Sequence, residues 1–255
     1  MFKLFKRILR RRGKSNRQQM VDELRSKGAV IGEDLYIYAP NETIIDTTSP
    51  FLLTIGDHVR ITSGVKILTH DYSWSAAKGY TPELGLPGAI LGAQSPVEIG
   101  SHVFIGMNAI ITRGVKIGDH VIIGAGSVVT KDCESNSVYA GNPARRICSM
   151  EAFWQKRKAL QFTEAKEIAI RYRSRFGKVP PVEVFNEYFQ LFLTRQQAEA
   201  NPAFKAQMER MGGFEQTQKY MDENPPMFDG YEAFLSACYA EGDASVEQNA
   251  GVQKA

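Results

Sequence analysis

Branched aliphatic residues recur at every sixth position through the middle of the chain, and this repeat constrains the fold more than any other feature. A period of six fits neither an amphipathic helix nor a simple strand, because both would drift out of phase within two repeats. Three short strands of that length instead form one triangular coil, whose aliphatic side chains point inward and stack on their equivalents in the next coil. The repeat therefore predicts a mainly β protein built as a parallel β-helix. Its register comprises Ile31, Ile37, Ile55, Ile61, Ile67, Ile99, Ile105, Ile111, Ile117, Ile123 and Val129.

The repeat and its interruptions divide the chain into regions. We assign residues 30–149 to the β-helix domain and residues 1–29 to a basic helical segment before it. Residues 71–94 are rich in Gly and Pro and break the spacing. They are predicted to form a long loop that leaves the prism, and loops of that length are usually functional. An α-helical extension is predicted at 150–241 and a disordered tail at 242–255.

The charge is concentrated at the N-terminus. The first seventeen residues hold eight of the 31 Lys and Arg and no acid, so the remaining chain is acidic, which argues against a nucleic-acid-binding face. Residues 1–17 have two interpretations: an amphipathic helix on an anionic membrane surface, or a basic terminus that frays or docks on its own domain. No apolar run is long enough to span a membrane. Three cysteines without metal-ligand spacing indicate a reducing cytoplasm, with the inner face of the membrane as the alternative address.

Two motif-rich stretches carry a family resemblance. The run IGDHVRITSGVKILTHDYSW at 55–74, and then IGSHVFIGMNAIITRGVKIGDHVIIGAGSVVTKDCESNSVYAGNPARRI at 99–147, closely resemble the hexapeptide-repeat acyltransferases. Within these the chain is similar to the maltose, galactoside, xenobiotic and polysaccharide O-acetyltransferase group, over about residues 30–147. The resemblance implies a left-handed β-helix, assembled as a homotrimer, with acetyl-CoA in the groove between neighbouring prisms.

The catalytic residue implied by the resemblance is His70, where the repeat ends and the loop begins. O-acetylation removes a proton from a sugar hydroxyl as it attacks a thioester, and an imidazole titrating near neutrality suits that task. The adjacent Asp71 has two interpretations of equal weight. Either it orients the imidazole, or it is a loop carboxylate that accepts backbone N–H bonds.

Acceptor-binding residues are predicted around the same loop. Tyr72 and Trp74 either line the acceptor pocket or anchor the loop. Asn41 lies in NETIID, which is similar to the stretch where galactoside and maltose enzymes keep a supporting asparagine.

The resemblance also implies a set of acetyl-CoA contacts. Small or backbone-rich positions would let the pantetheine chain lie against the main chain, and cationic side chains would pair with the phosphates. A further family arginine falls on Cys148, where Arg146 is a substitute. The implied contact residues are Met107, Ala125, Gly126, Thr130, Lys131 and Arg145.

Metal and covalent chemistry are disfavoured by the sequence. His58, His102 and His120 share one repeat position and should stack on one face, but the paired histidines of zinc-dependent γ-class carbonic anhydrases are missing, so no metal site is predicted. Cys133 is expected to point inward, and no Gly-x-Ser-x-Gly elbow is present. Direct transfer in a ternary complex is therefore the predicted mechanism.

The leading hypothesis is an acetyl-CoA-dependent O-acetyltransferase that acts on a bacterial polysaccharide or its precursor. One alternative acceptor is a small molecule, either a free sugar or an antibiotic. A second alternative is a non-catalytic β-helix scaffold. The helical extension either caps the open prism end, which we favour, or walls the acceptor cleft of a neighbouring subunit.

Overall fold

The computed structural model describes residues 16–79 and 88–240, apart from the side chain of Met211. The membrane-contact prediction for residues 1–17 falls almost wholly outside this range, as do residues 80–87 of the predicted loop and the tail predicted at 242–255. The chain divides into two compact units, Met1–Phe153 and Trp154–Ala255.

The first unit is a triangular prism of stacked coils, and each of its three faces is a sheet in which strands of successive coils pair in parallel. The first face contains β1 (Val30–Ile31), β4 (Leu53–Ile55), β7 (Val97–Ile99) and β10 (Lys116–Ile117). The second contains β2 (Tyr36–Ile37), β5 (Arg60–Ile61), β8 (Phe104–Ile105), β11 (Val121–Ile123), β13 (Ser137–Ala140) and β14 (Arg145–Ser149). The third contains β3 (Ile44–Ile45), β6 (Lys66–Ile67), β9 (Ile110–Ile111) and β12 (Val128–Val129). Three successive strands make one coil, so β1–β3 form coil 1 and β10–β12 form coil 4.

The aliphatic repeat forms the core, and the predicted left-handed parallel β-helix is confirmed. Each inward residue pairs with its equivalent one coil away, as in Ile61 with Ile105 and Ile67 with Ile111. All eleven positions of the predicted register are buried. Ile45, which the six-residue register passes over, is buried as well and completes coil 1. Cys133 points inward as expected and is 4% exposed.

Glycine is required where one coil crosses closely over the next. A Cβ added to Gly100 would lie 2.8 Å from the carbonyl carbon of Gly118 in the following coil. Real side chains do not tolerate that approach, so the corner after the first face needs a residue without a side chain. The spacing of the coils thus explains the small second residue of the repeat.

An aspartate that directly follows a corner glycine joins neighbouring coils, as Asp57 does after Gly56 and Asp119 after Gly118. The Asp57 carboxylate accepts the backbone N–H of Glu33 at 2.6 Å, and the Asp119 carboxylate accepts that of Ser101 at 2.7 Å. These bonds satisfy backbone donors that the turn leaves without a strand partner. The corner between the first and second faces is consequently fixed by one side chain per coil.

Both ends of the prism are closed by its own chain. Helix α1 (Asn16–Ser26) packs Val21 and Leu24 into the same core as coil 1. At the other end, β14 turns back and pairs antiparallel with β13. Exposed strand edges invite pairing with other chains, and an antiparallel cover blunts one of them.

The second unit is helical with an aromatic core. The long helix α3 (Met150–Phe176) starts at the end of the prism and leads into this unit. Further helices are α4 (Arg195–Ala200), α5 (Pro202–Met208), α6 (Phe214–Glu223) and α7 (Gly230–Tyr239), and the loop of the first unit holds the short helix α2 (Trp74–Ala77).

Part of the region predicted to be α-helical, 150–241, forms 3₁₀ turns instead. Phe185, Phe189 and Phe192 have helical spacing and are buried. Phe185 ends one 3₁₀ turn (Val182–Phe185), Phe189 starts a second (Phe189–Leu191), and Phe192 follows that second turn. The three rings pack with Phe234 in one cluster. Spacing by three and four positions places side chains on one side in either helix type, so it does not distinguish them. Within the described residues, no helix has the length and hydropathy needed to cross a membrane.

Candidate active site

His70 lies where the chain leaves the prism. It follows β6 on coil 2, at the carboxyl edge of the third face, and forms an antiparallel bridge with Gln94 on the returning strand of the loop. The backbone N–H of Asp71 donates to the carbonyl of Ala93 at 2.9 Å, and the N–H of Ser95 donates to the carbonyl of Thr69 at 3.0 Å. The two ends of the loop are therefore tied together next to the imidazole.

The partner of His70 is Asp46, one coil below. Nδ1 of His70 makes a short hydrogen bond with Oδ2 of Asp46, whose side chain is 3% exposed while that of His70 is 22% exposed. The same Oδ2 accepts the Thr69 hydroxyl at 2.6 Å, and Oδ1 accepts the backbone N–H of Thr48 at 2.8 Å. Asp46 is thus a buried carboxylate whose oxygens are all engaged by donors.

These donors keep Asp46 ionised. Burial raises the pKa of its carboxyl, but hydrogen bonds from Thr69, Thr48 and His70 outweigh burial and hold the pKa far below the usual range. A carboxylate can only accept, so Nδ1 of His70 carries the hydrogen. The neutral imidazole then has its lone pair on Nε2, which is the nitrogen left to act as a base.

Asp71 does not orient the imidazole, which corrects one of its two interpretations. Its Oδ1 accepts the backbone N–H of Ser73 at 2.7 Å, and its Oδ2 accepts the Ser73 hydroxyl at 3.0 Å. The side chain therefore closes a tight local turn at the start of the loop. The turn directs the carboxylate of Asp71 toward its own loop. The contact with Nδ1 of His70 that one interpretation gave to Asp71 is made by Asp46.

Two predicted acceptor residues stand beside His70. The ring of Tyr72 meets the imidazole edge-on with centroids 4.8 Å apart, and Trp74 lies 6.1 Å from Tyr72. Tyr72 is 61% exposed, so one face of this aromatic pair is open to a ligand.

Asn41 is not brought to the imidazole. It is exposed, and its Oδ1 accepts from the Asn16 side chain at 3.5 Å, at the contact between coil 1 and helix α1. The NETIID segment supplies the supporting residue five positions later, at Asp46. Within one chain Asn41 lies away from His70, and its role toward an acceptor stays a prediction.

Met107, Ala125 and Gly126 occupy the corner between the second and third faces. Met107 belongs to coil 3, and its carbonyl accepts the backbone N–H of Gly126 in coil 4 at 2.7 Å. All three are exposed, and a Cβ added to Gly126 would meet no atom within 4 Å. This corner presents open main chain to solvent.

The predicted cationic positions lie near the last coil. Thr130 and Lys131 follow β12 and are exposed, and Arg145 begins β14 with its guanidinium on the carbonyl of Ala144 at 2.9 Å. Arg146, the substitute for the family arginine, is 3.8 Å from Glu134. Lys131 and Arg145 are therefore available to an anion at this end of the prism.

One chain holds these groups at opposite edges of the third face. Its strands are parallel, so Met107 and Gly126 lie at the amino edge while His70 and Thr130 lie at the carboxyl edge. The width of the third face therefore separates the two sets.

The remaining histidines form a column at a different corner. Rings of His58 and His102 stack with centroids 4.8 Å apart, and those of His102 and His120 with centroids 4.7 Å apart. In the part of the chain that the structure describes, no group of three or more His, Cys, Asp or Glu side chains is arranged to hold a metal ion.

Comparison with known proteins identifies the family. Residues 96–131 match the model of the bacterial transferase hexapeptide, described as six repeats. Protein CapG of Staphylococcus aureus is 42% identical over 157 residues, which cover 61% of this chain and 83% of CapG. The chain belongs to the hexapeptide-repeat acyltransferase family. The predicted recognition and the predicted enzyme class are thereby confirmed.

Two solved structures are similar to part of this hexapeptide-repeat chain. A hexapeptide-repeat-containing acetyltransferase of Vibrio cholerae O1 biovar eltor, complexed with acetyl-coenzyme A, is 28% identical, with 48% of this chain and 61% of that chain covered and a TM-score of 0.40. A maltose O-acetyltransferase of Clostridium difficile 630 is 32% identical, with coverages of 52% and 75% and a TM-score of 0.37.

Proposed function

We propose that this hexapeptide-repeat acyltransferase is an acetyl-CoA-dependent O-acetyltransferase that modifies a sugar hydroxyl of a bacterial polysaccharide or its precursor. The observation that carries the proposal is the Asp46–His70 pair, in which a buried, ionised carboxylate leaves Nε2 of an accessible imidazole as a base. Such a group suits deprotonation of a hydroxyl at neutral pH.

The reaction proceeds by direct transfer. Nε2 of His70 takes the proton of the acceptor hydroxyl while the hydroxyl oxygen forms a bond to the carbonyl carbon of the acetyl thioester. The tetrahedral intermediate then collapses, the carbon–sulfur bond breaks, and the departing thiolate takes the proton from the imidazolium. The products are the O-acetyl sugar and free CoA. Asp46 stabilises the transient imidazolium without accepting its proton, which is the role of the carboxylate in other histidine-based sites.

The corner at Met107, Ala125 and Gly126 supports binding of a pantetheine chain. An extended amide chain can hydrogen-bond only where main chain is reachable, and the open space around Gly126 provides that access. Lys131 and Arg145 are placed at the end of the prism where phosphates can be paired with cations. These residues fit acetyl-CoA by chemistry and spacing.

The active unit in this proposal is a homotrimer. The main-chain corner at Met107, Ala125 and Gly126 lies across the third face from His70, so in this proposal the thioester bound at that corner reaches His70 of a neighbouring copy. Copies arranged around an axis bring the amino edge of the third face in one copy to the carboxyl edge of the third face in the next. Closed symmetry is the usual outcome for such head-to-tail contacts.

The aromatic pair beside His70 supports a sugar acceptor. Exposed Tyr72, which contacts the ring of His70, and half-buried Trp74 together form an apolar platform. Sugar rings present C–H faces that pack on such platforms, whereas a small charged acceptor gains little from them. The platform does not distinguish a polymer from a free sugar, so the small-molecule acceptor is the alternative that the assay below resolves.

The test is acetyl-CoA turnover, followed by release of free thiol, with polysaccharides, free sugars and antibiotics as acceptors. We expect acceptor-dependent release with a glycan. We expect His70→Ala to lower kcat by roughly 10²–10⁴-fold, the usual contribution of general-base catalysis. Acetyl-CoA should also raise the thermal midpoint of both proteins, because ligand that binds only the folded state stabilises it.

Each other result assigns the chain differently. Release with free sugars or antibiotics alone selects the small-molecule enzyme. Near-full activity of His70→Ala removes His70 from the mechanism. If acetyl-CoA gives no thiol release and no thermal shift, the non-catalytic scaffold is the remaining function.

A further inference from the structure

Three histidines stack at the corner between the first and second faces of the prism. His58, His102 and His120 occupy the same position in coils 2, 3 and 4, each with a positive φ of 54–57°. Their ring planes are inclined by 27° for the first pair and 3° for the second, at the 4.7–4.8 Å spacing of neighbouring coils. We call these three residues the histidine column.

The two ends of the histidine column differ in charge. Asp34 holds the equivalent position in coil 1, with its Oδ2 3.0 Å from Nδ1 of His58 and 2.5 Å from Nη2 of Arg60. Beyond His120 the equivalent residue is Asn136, with a φ of 56° and a neutral side chain. A carboxylate therefore faces only the first ring from along the column, and it is already paired with a guanidinium.

We propose that the histidine column is an acid-sensitive seam of the prism, in which neutral imidazoles stack and hold three coils in register, while protonation of adjacent rings pushes the coils apart. The proposal concerns stability under mild acid and is independent of the proposed acetyl transfer.

The physical basis is repulsion between like charges at fixed spacing. The coils are held by backbone hydrogen bonds, so two imidazolium rings on adjacent coils separate only if a side chain turns out of the ring stack or the coils themselves part. At this separation, unit charges repel noticeably even through water. A neutral pair experiences only favourable ring contact.

The neighbouring acids offset this repulsion incompletely. Asp57 and Asp119 are the carboxylates that favour protonation of His102, and both are engaged with backbone N–H groups of the preceding coils. Burial, followed by the charges of His120 and His58, lowers the pKa of His102 despite them. The folded protein therefore binds fewer protons at His102 than the unfolded chain, so stability falls as the pH drops through the normal range of histidine.

The chain contains only four histidines, which makes the test specific. Between pH 7.5 and 5.5 these are the side chains whose ordinary pKa values allow a change of charge. We expect the thermal midpoint of the wild type to fall by roughly 3–8 °C over this interval. His102→Asn should reduce that fall to less than half, because it separates the two remaining rings by an extra coil. Asn tolerates the positive φ, as Asn136 does at the same position.

The matched control is His70→Asn, which removes the histidine outside the column. It should keep the full acid-induced fall of the midpoint. Equal falls in the wild type and His102→Asn, or loss of the fall in His70→Asn, would overturn the proposal.

A second measurement tests the proposal if His102→Asn does not fold. The imidazole C–H resonances of the wild type are followed through a pH titration and assigned with the His58→Asn and His120→Asn variants. We expect the His102 ring to titrate below the value of about 6.5 for a free histidine, and His58→Asn or His120→Asn to shift it upward by removing one neighbouring charge. Titration at or above that value, unaffected by either substitution, would also overturn the proposal.

Discussion

Two Asp–His pairs link coil 1 to coil 2, and they have the same separation along the chain. Asp34 contacts His58, and Asp46 contacts His70, each across 24 residues. In both pairs Nδ1 of the histidine faces Oδ2 of the aspartate. Their surroundings differ: the Asp34 side chain is 41% exposed and shared with Arg60, whereas that of Asp46 is 3% exposed and held by two threonines.

The difference shows that environment assigns the role of a pair. Solvent screens Asp34, and the guanidinium of Arg60 competes for its charge, so the pair at His58 contributes to coil stacking. Asp46 is desolvated and aimed at a histidine that borders an open loop with the exposed ring of Tyr72. The same two residue types therefore form a structural contact between coils at one corner and a candidate general base at another.

The largest difference between the pairs should appear in turnover. Asp46→Asn preserves size but presents an amide that can donate to Nδ1, which selects the wrong imidazole tautomer. We expect kcat for acetyl transfer to fall on the order of 10²–10⁴-fold, with little change in KM for acetyl-CoA.

The matched variant is Asp34→Asn, which should retain kcat within about twofold because Asp34 touches no proposed reacting group. Steady-state kinetics with the same acceptor measures both. Equal losses of kcat in the two variants would contradict different roles for the two pairs.

The pairs should also differ in acid stability. The pKa of Asp46 is lowered in the folded protein, so its stabilisation is fully present above the ordinary value of 3.8 and is lost as the pH falls further. Asp46→Asn should lower the free energy of unfolding at pH 7 by about 1–3 kcal/mol, the cost of breaking buried hydrogen bonds to a charged group. The gap to wild type should narrow below about pH 4.

For Asp34→Asn the corresponding loss at pH 7 should be under about 1 kcal/mol, because the exposed ion pair is screened by solvent. Denaturant unfolding at several pH values measures both changes. A larger loss for Asp34→Asn than for Asp46→Asn would mean that exposure does not separate the pairs.

The smallest effect is expected at the carboxylate next to His70 in sequence. Asp71→Asn keeps an oxygen that can accept the Ser73 N–H, so the turn at the start of the loop survives. We expect a far smaller loss of kcat than for Asp46→Asn in the same assay. A loss as large as that of Asp46→Asn would restore Asp71 as the residue that orients the imidazole.

The prism was predictable from sequence where its unit length is constant. From Ile99 to Val129 every inward residue is six positions from the next, and each is buried as expected. Coil 1 departs from this rule, because its second corner is longer and places Ile45 eight residues after Ile37. A fixed period passes over Ile45, and with it the adjacent Asp46.

The candidate site was therefore only partly predictable. His70 stands in a motif and at the end of a regular repeat, so position and chemistry agree. Its partner comes from another coil, and contacts between coils depend on register that a local pattern does not carry. Ile45 pairs with Ile67 on the third face, so once Ile45 is placed inside coil 1, the adjacent Asp46 falls at the same corner as His70.

The central claim is that chemistry belongs to the buried pair and stacking to the exposed pair. The most direct test compares His70→Asn with His58→Asn, measuring kcat and the thermal midpoint of each in one set of experiments. The account predicts that His70→Asn loses roughly 10²-fold or more in kcat and that His58→Asn retains turnover. Comparable loss of turnover in both variants, or retention of turnover in His70→Asn, would contradict it.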